Sequence, residues 1–208
     1  MYENCPKKFY HIRIGKDAQD SESEAGKEGK RIHDVLHRRV RDNTPLPLDL
    51  AYMEPIVKSL TNVKGKIYTE IKLAVNRNYK ATGWFSDDVY WRSVLDFAVI
   101  NGELGLVVDY KTGKMREDYE QLMTQGAALF ALDPKLQQVK TTYFWTGNKK
   151  ITKPLVMQRE DVINVWNDLK ERTEEIEEAI RRENFPAQPN PLCRYCPVTQ
   201  CPHNTQAV

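Results

Sequence analysis

The stretch 93–112, "SVLDFAVINGELGLVVDYKT", places acidic residues within two apolar runs that a short turn connects. The runs are rich in β-branched and other apolar side chains, as strands are, and "LGLVV" is typical of a strand buried on both faces. "NGELG" between them is a turn signal. The stretch therefore predicts a hairpin with Asp96 in its first strand and with Asp109 and Lys111 at the end of its second.

The patterns on either side of this hairpin alternate between helix and strand. Helical periodicity begins near Ser23, where Ile32, Val35, Leu36 and Val40 recur on one face. Further elements are predicted as helices near 49–61, 116–132 and 159–182 and as strands near 64–75 and 138–146. This order predicts an α/β fold with a small mixed central sheet flanked by helices. We expect one domain over 1–208, with an N-terminal segment 1–20 and a cysteine-rich tail 184–208.

Composition bounds the class of protein. The chain has 208 residues, 40% hydrophobic and 29% charged, which is enough to bury a core. No apolar run approaches the roughly 20 residues of a membrane span, and the N-terminus lacks the apolar region of a signal peptide. A net charge of +2 does not by itself indicate nucleic acid. We therefore expect a cytoplasmic protein with reduced thiols and no membrane partner.

The acidic residues and the lysine of the hairpin suit metal chemistry. Asp109 and Lys111 stand two apart on a strand and so point to the same face. A carboxylate pair from adjacent strands, such as Asp96 and Asp109, can hold Mg²⁺ or Mn²⁺. A lysine beside it can orient or deprotonate water, or stabilise charge on a phosphate. The alternative is a set of charged residues that are solvated or salt-bridged at a strand end.

The helix that begins near Ser23 carries "HDVLH", with His33 and His37 four residues apart. This resembles the H-E-x-x-H motif of zinc metalloproteases and makes such a protease one alternative. Asp34 is one methylene shorter than the glutamate that activates water in that motif, and no third ligand follows. The other interpretation is that His33, on the edge of the apolar face of the helix, has a structural role only.

The tail holds most of the cysteines. Cys193, Cys196 and Cys201 lie close together in a proline-rich segment, and the chain has four cysteines in all. On spacing alone such a group suits zinc as well as an iron–sulfur cluster. His203 is a further candidate ligand for zinc.

Several short motifs, taken together and in order, resemble a known family. Gly29 to His33 match G-x-x-x-H, Asp96 matches an aspartate that ends a strand, and Asp109 to Lys111 match (D/E)-x-K. Gln121 begins a Q-x-x-x-Y motif in which Gln125 replaces the tyrosine, and Glu70 stands where many members have a strand glutamate. The chain resembles the RecB-like PD-(D/E)XK nucleases of the iron–sulfur group, which include CRISPR-associated exonucleases, AddB nuclease domains and phage exonucleases.

The resemblance implies a restriction-endonuclease-like core and a metal-dependent DNA exonuclease that acts on single strands or ends. His33, Asp96, Asp109 and the backbone carbonyl of Tyr110 would then bind one or two Mg²⁺ or Mn²⁺ ions. Lys111 would position or activate the attacking water. Two supporting residues complete the expected catalytic set: Gln121 would orient the site or contact DNA, and Glu70 would lie behind the ligands or near the metal.

The same resemblance joins Cys5 to Cys193, Cys196 and Cys201 as ligands of one [4Fe–4S] cluster, with Zn²⁺ as the alternative. That site would fasten the two chain ends together. The expected partners are DNA, further copies of this chain, and recombination or CRISPR-adaptation proteins, in a bacterial, archaeal or phage-infected cell. A second functional interpretation is a non-catalytic DNA-binding or adaptor module that keeps the cysteine site.

Overall fold

The computed structural model describes residues 1–116 and 118–205. The chain groups into two compact units. One is Glu24–Asn167, here called the central unit, and the other combines Met1–Ser23 with Asp168–Val208 and is called the terminal unit. The terminal unit contains the predicted segment 1–20 and the described part, 184–205, of the predicted tail 184–208, whose last three residues lie outside the described ones.

The central unit contains a mixed sheet of seven strands. The strands are β1 (Lys66–Asn76), β2 (Ala81–Thr82), β3 (Val89–Asn101), β4 (Leu104–Lys111), β5 (Gln138–Trp145), β6 (Lys150–Ile151) and β7 (Leu155–Gln158). Their order is β2-β1-β3-β4-β5-β6, and β7 also pairs with β5. β4 and β5 are parallel, whereas the other paired strands are antiparallel. The predicted hairpin is confirmed as β3 and β4.

The α-helices of the described residues, in chain order, are α1 (Pro6–Phe9), α2 (Glu24–Asp42), α3 (Glu54–Thr61), α4 (Tyr119–Leu132) and α5 (Val162–Arg181). The helix predicted near 49–61 is in fact a 3₁₀ segment, Leu48–Met53, followed by α3. Pro55 lies in the first turn of α3, where its missing N–H costs no helical hydrogen bond. The predicted mixed α/β architecture with flanking helices is confirmed.

Alternation along the strands gives the sheet two different faces. Phe97 on β3, Val108 and Tyr110 on β4 and Phe144 on β5 are buried in one core with apolar side chains of α2 and α3. Burying each such side chain contributes roughly 1.5–3 kcal/mol. Residues of the opposite parity, including Tyr143 and Trp145, pack with Leu122 of α4. Asp109 and Lys111 therefore belong to the α4 face of β4, whereas Tyr110 belongs to the α2 face.

The terminal unit brings together the first and last segments of the chain. The backbone N–H of Lys7 donates to the carbonyl of Pro186 at 3.2 Å. The rings of Tyr10 and Phe185 pack with centroids 4.9 Å apart.

Among the helices of residues 1–116 and 118–205, none has the length and apolar character of a membrane span.

Candidate active site

Asp96 lies where the pairing of the β3–β4 hairpin stops. The ladder runs from Asn101/Leu104 to Phe97/Val108. Beyond it, the backbone N–H of Tyr110 donates to Asp96 Oδ2 at 2.7 Å. The carboxylate thus takes the place of a strand partner, which fixes it between β3 and β4. Its other oxygen, Oδ1, lies 3.1 Å from His33 Nδ1 of α2.

The first motif, Gly29 to His33, positions α2 against the end of β4. A Cβ at Gly29 would lie 3.1 Å from Thr112 Oγ1, closer than most such contacts. The glycine therefore allows a close approach that a larger residue would hinder. His33 follows one turn later and reaches the Asp96 carboxylate.

Glu70 occupies a distorted point of β1 opposite Asp96. Its neighbours Thr69 and Ile71 pair with Phe97 and Leu95 of β3. Glu70 itself has φ 51°, a left-handed conformation that is uncommon for a side chain other than glycine and that costs about 1–3 kcal/mol. Such strain persists only where the surrounding fold maintains it, and strained residues are concentrated at functional sites.

His33, Glu70 and Asp96 form a compact group of metal-ligand types. One ligand atom from each lies within 4.8 Å of the other two. Glu70 Oε1 is 4.0 Å from His33 Nδ1. One imidazole and two carboxylates are ligands that Mg²⁺ and Mn²⁺ accept. The donor set therefore fits a divalent cation.

The pKa shifts of these groups reflect burial together with crowding of negative charge. Burial raises the pKa of Glu70, and the Asp96 carboxylate raises it further. Burial also raises the pKa of Asp109, again with a contribution from Asp96, while Lys111 opposes the shift. Burial disfavours protonated His33, but the hydrogen bond to Asp96 and the surrounding carboxylates raise its pKa overall. A cation at this point would relieve the repulsion.

Asp109 and Lys111 belong to a hydrogen-bonded network with α4. Lys111 Nζ lies 2.7 Å from Asp109 Oδ2 and donates to Gln121 Oε1, also at 2.7 Å. Gln121 Nε2 donates to Asp109 Oδ1 at 2.8 Å. The buried Gln125 donates to the same oxygen at 2.6 Å. Gln125, which replaces the expected tyrosine, thus holds Asp109 directly.

The structure brings the predicted site residues together but divides them into two sets. Glu70, expected behind or near the ligands, lies in the group with His33 and Asp96. Asp109 lies outside that group and is bonded to Gln121 and Gln125. Metal ligation by Asp109 and by the Tyr110 carbonyl stays a prediction. Sequence reasoning did not find the role of Gln125, although its spacing of four from Gln121 places both on one face of α4.

His37, the second histidine of the protease-like motif, also lies outside the metal-ligand group. Its Nδ1 lies 3.1 Å from Thr69 Oγ1, and Arg41 Nη1 lies 3.0 Å from its Nε2. Both ring nitrogens are therefore engaged by neighbours, so the geometry gives no support to a zinc site formed by His33 and His37.

The terminal unit holds a separate candidate metal centre. Cys5, Cys193, Cys196 and Cys201 are free cysteines that line one pocket, together with His203. The backbone N–H groups of Lys8 and Gln188 donate to Cys5 Sγ, each at 3.5 Å. Asn190 N–H donates to Cys193 Sγ at 3.3 Å. Amide donors stabilise negatively charged sulfur, so the site suits cysteines that act as thiolate ligands.

Comparison with known protein families assigns this chain to one of them. The sequence profile of the PD-(D/E)XK nuclease superfamily matches residues 1–202. The chain belongs to the PD-(D/E)XK nuclease superfamily. Membership implies a nuclease that acts on nucleic acid and uses divalent metals, for which the His33, Glu70 and Asp96 group provides ligands.

Two further comparisons complete the findings. A crystal structure of SSO0001 is similar over 96% of this chain and 82% of its own, with a TM-score of 0.45 and 15% sequence identity. No curated protein matches this PD-(D/E)XK chain in sequence.

Proposed function

We propose that this protein is a Mg²⁺- or Mn²⁺-dependent deoxyribonuclease whose metal is held by His33, Glu70 and Asp96, with Asp109 as a further ligand. The observation that carries the proposal is the convergence of the first three ligand atoms within 4.8 Å. The raised pKa values of Glu70 and His33 support it: burial is the larger cause at Glu70, and the Asp96 carboxylate raises both pKa values with negative charge that a cation would offset. A bound divalent ion would polarise the phosphodiester and lower the pKa of a water ligand.

Lys111 is the residue we propose to act on the attacking water and on the charge of the phosphate. Its ammonium lies 2.7 Å from Asp109 and is fixed by Gln121, so it is held in one orientation. A fixed cation beside a reacting phosphate stabilises negative charge that develops in the transition state. Gln121 positions both Asp109 and Lys111, and Gln125 positions Asp109, rather than contacting the reacting atoms.

The finer assignment is an exonuclease for single-stranded DNA or DNA ends, active in recombination, repair, phage DNA processing or CRISPR adaptation. It is supported by the order of the motifs from Gly29 to Gln121 and by the cysteine pattern, which resemble the iron–sulfur group of RecB-like nucleases. The alternative hypothesis, a DNA-binding module without catalysis, predicts no cleavage. Activity measurements therefore distinguish it from the exonuclease.

We further propose that Cys5, Cys193, Cys196 and Cys201 bind a [4Fe–4S] cluster. Their shared pocket and the amide donors to Cys5 and Cys193 support thiolate ligation. Zn²⁺ is the alternative occupant, and His203, which lines the same pocket, would then replace one of the cysteines as a ligand. When bound, either group would tie the N-terminal segment to the tail.

One preparation tests these proposals. The protein is purified without oxygen, analysed for iron and zinc, and incubated with Mn²⁺ and with end-labelled single-stranded or duplex DNA. We expect iron, and stepwise shortening of the single strand by the wild type but not by Asp96→Asn or Lys111→Ala. Intact DNA in every wild-type reaction would refute the nuclease. Zinc without iron would refute the cluster and leave the nuclease proposal standing.

A further inference from the structure

A groove lies in the central unit next to Lys111. A first pocket is lined by Lys111 and Gln121 and also by Arg116, Tyr143 and Trp145. Those last three residues line a second pocket as well, which extends to β6. We call the combined surface the basic groove and define it by Arg116, Tyr119, Tyr143, Trp145, Lys150 and Lys153. The groove is therefore continuous with the proposed catalytic lysine.

Positive charge dominates the outer part of the basic groove. Arg116, which lines the groove, has a side chain that is 80% exposed. Lys150 of β6 and Lys153 of the following loop are also exposed and line the groove. Asp118 lies 3.4 Å from Arg116 and offsets one of these charges. The remaining cations suit a polyanion that passes through the groove, because phosphates are neutralised by Lys and Arg side chains.

Aromatic residues also line the basic groove. Tyr143 and Trp145 are almost fully buried, with ring centroids 5.7 Å apart. The Tyr143 hydroxyl donates to the Asp118 carbonyl, and Lys111 Nζ lies 5.1 Å from the centre of the Tyr143 ring. Tyr119, in contrast, is 49% exposed at the start of α4. Its ring is available for a flat apolar ligand, whereas the other two are held in place.

We propose that the basic groove binds single-stranded DNA beside the reacting phosphate. Arg116, Lys150 and Lys153 contact the phosphates, and one base stacks on Tyr119. Cations that follow a backbone, combined with aromatic rings for the bases, are the recurring features of single-strand sites. A base within a duplex is stacked on its neighbours, so its face is not available to Tyr119. The position beside the reacting phosphate rests on the function proposed for Lys111.

Binding measured without divalent metal tests this site separately from catalysis. The probe is a fluorescein-labelled oligothymidylate of about 20 nucleotides, longer than a single groove occupies. Its dissociation constant is measured by fluorescence anisotropy in EDTA over a series of NaCl concentrations. The variants are Lys150→Gln/Lys153→Gln, Tyr119→Ala and the conservative Tyr119→Phe. Lys135→Gln/Lys140→Gln is the matched control, because it removes the same charge from exposed positions outside the groove.

The two kinds of variant have different expected signatures. Lys150→Gln/Lys153→Gln lowers the magnitude of the salt slope by about 1.4, or about 0.7 for each lost phosphate contact. Tyr119→Ala weakens binding about fivefold or more with the slope unchanged, and Tyr119→Phe restores affinity. The control variant keeps the wild-type slope. A blunt-ended duplex of two complementary strands binds more weakly than the single strand and is insensitive to Tyr119→Ala.

Failure of this inference is distinguishable from failure of the nuclease proposal. If the wild type degrades DNA in Mn²⁺ while Lys150→Gln/Lys153→Gln binds like its control, the basic groove is wrong and the nuclease stands. If the groove variants show the expected signatures while the wild type never cleaves, the nuclease is wrong and the single-strand site stands. Equal loss of single-strand and duplex binding in Tyr119→Ala would refute the stacking role.

Discussion

His33 Nδ1 lies 3.1 Å from Asp96 Oδ1, although 63 residues separate the two in sequence. The second oxygen of the same carboxylate accepts the backbone N–H of Tyr110 at 2.7 Å. One side chain on β3 thus contacts both α2 and β4 at the proposed metal site. Any change of its charge affects the metal ligands and the strand geometry together.

The variant Asp96→Asn keeps the shape of this side chain and removes its charge. We expect Mn²⁺ affinity and DNA cleavage each to fall by about 100-fold or more, because a carboxylate ligand is lost. The amide also cannot accept from both neighbours, which costs about 1–3 kcal/mol of unfolding free energy. Calorimetric Mn²⁺ titration and denaturant unfolding measure the two effects. Asp87→Asn, in an exposed loop, is the control and leaves both unchanged.

Glu70→Gln separates metal binding from stability. Burial and Asp96 raise the pKa of Glu70 above its usual 4.5, so the metal-free fold binds a proton there more tightly than the unfolded chain does. The stability that this proton contributes is fully present below the unfolded pKa and is lost as the pH rises through the higher folded pKa. The uncharged variant does not lose it. Without metal at neutral pH, Glu70→Gln therefore melts at a higher temperature than the wild type, and the two converge near pH 4.

Added Mn²⁺ reverses this order, because it stabilises the wild type by mass action and binds the variant weakly. Thermal melts with and without Mn²⁺ at several pH values measure both effects. Glu103→Gln, at the exposed hairpin turn, serves as the control and follows the wild type. A Glu70→Gln protein that gains as much stability from Mn²⁺ as the wild type would remove Glu70 from the ligand set.

The hairpin of β3 and β4 could be predicted from the sequence because its information is local. Apolar runs give the strands, the turn residues connect them, and the strand period places Asp109 and Lys111 on one face. The Gly29 to His33 motif likewise lies within one helix. In each case the relevant neighbours are a few residues apart, so pattern and spacing were sufficient.

The conformation of Glu70 and the contact made by Gln125 could not be predicted from local sequence patterns. The positive φ of Glu70 depends on the pairing of β1 with β3, which no local pattern of β1 records. The contact of Gln125 with Asp109 depends on how α4 packs on β4. The sequence showed only that a tyrosine was missing from a motif. Tertiary packing supplied the function of the residue in its place.

Lys111→Ala tests the proposed action on water. We expect cleavage to fall by about 10²–10⁴-fold, the usual range for a positioned acid–base group, while Mn²⁺ affinity stays within a few fold of the wild type. Single-turnover cleavage of a labelled single strand and Mn²⁺ titration give the two numbers. Lys135→Ala, an exposed lysine elsewhere in the central unit, provides the comparison. Equal loss of metal binding and cleavage would make Lys111 a structural residue instead.

Gln125→Ala removes a hydrogen bond from the charged form of Asp109. That bond lowers the pKa of Asp109, whereas burial raises it, so the variant has a still higher pKa. The acidic limb of the pH profile for cleavage should therefore move to higher pH, with activity largely retained on the alkaline side. Thr124→Ala on the same helix is the control, since the Thr124 hydroxyl donates to the Gln121 carbonyl. An unchanged acidic limb in Gln125→Ala would contradict the positioning role.

Cys193→Ser tests whether the proposed cluster fastens the chain ends. Cys5 and the three tail cysteines line one pocket, so a bound cluster closes a loop of nearly the whole chain. By analogy with a covalent cross-link over such a loop, its loss costs about 3–5 kcal/mol of unfolding free energy. We expect iron content and melting temperature to fall together, while Mn²⁺ titration of the still-folded protein is unchanged because its ligands are elsewhere. His203→Ala distinguishes the occupants: it leaves a four-cysteine iron–sulfur site intact but weakens a zinc site that uses the histidine. A Cys193→Ser protein as stable and as iron-loaded as the wild type would show that the cysteines do not form the fastening.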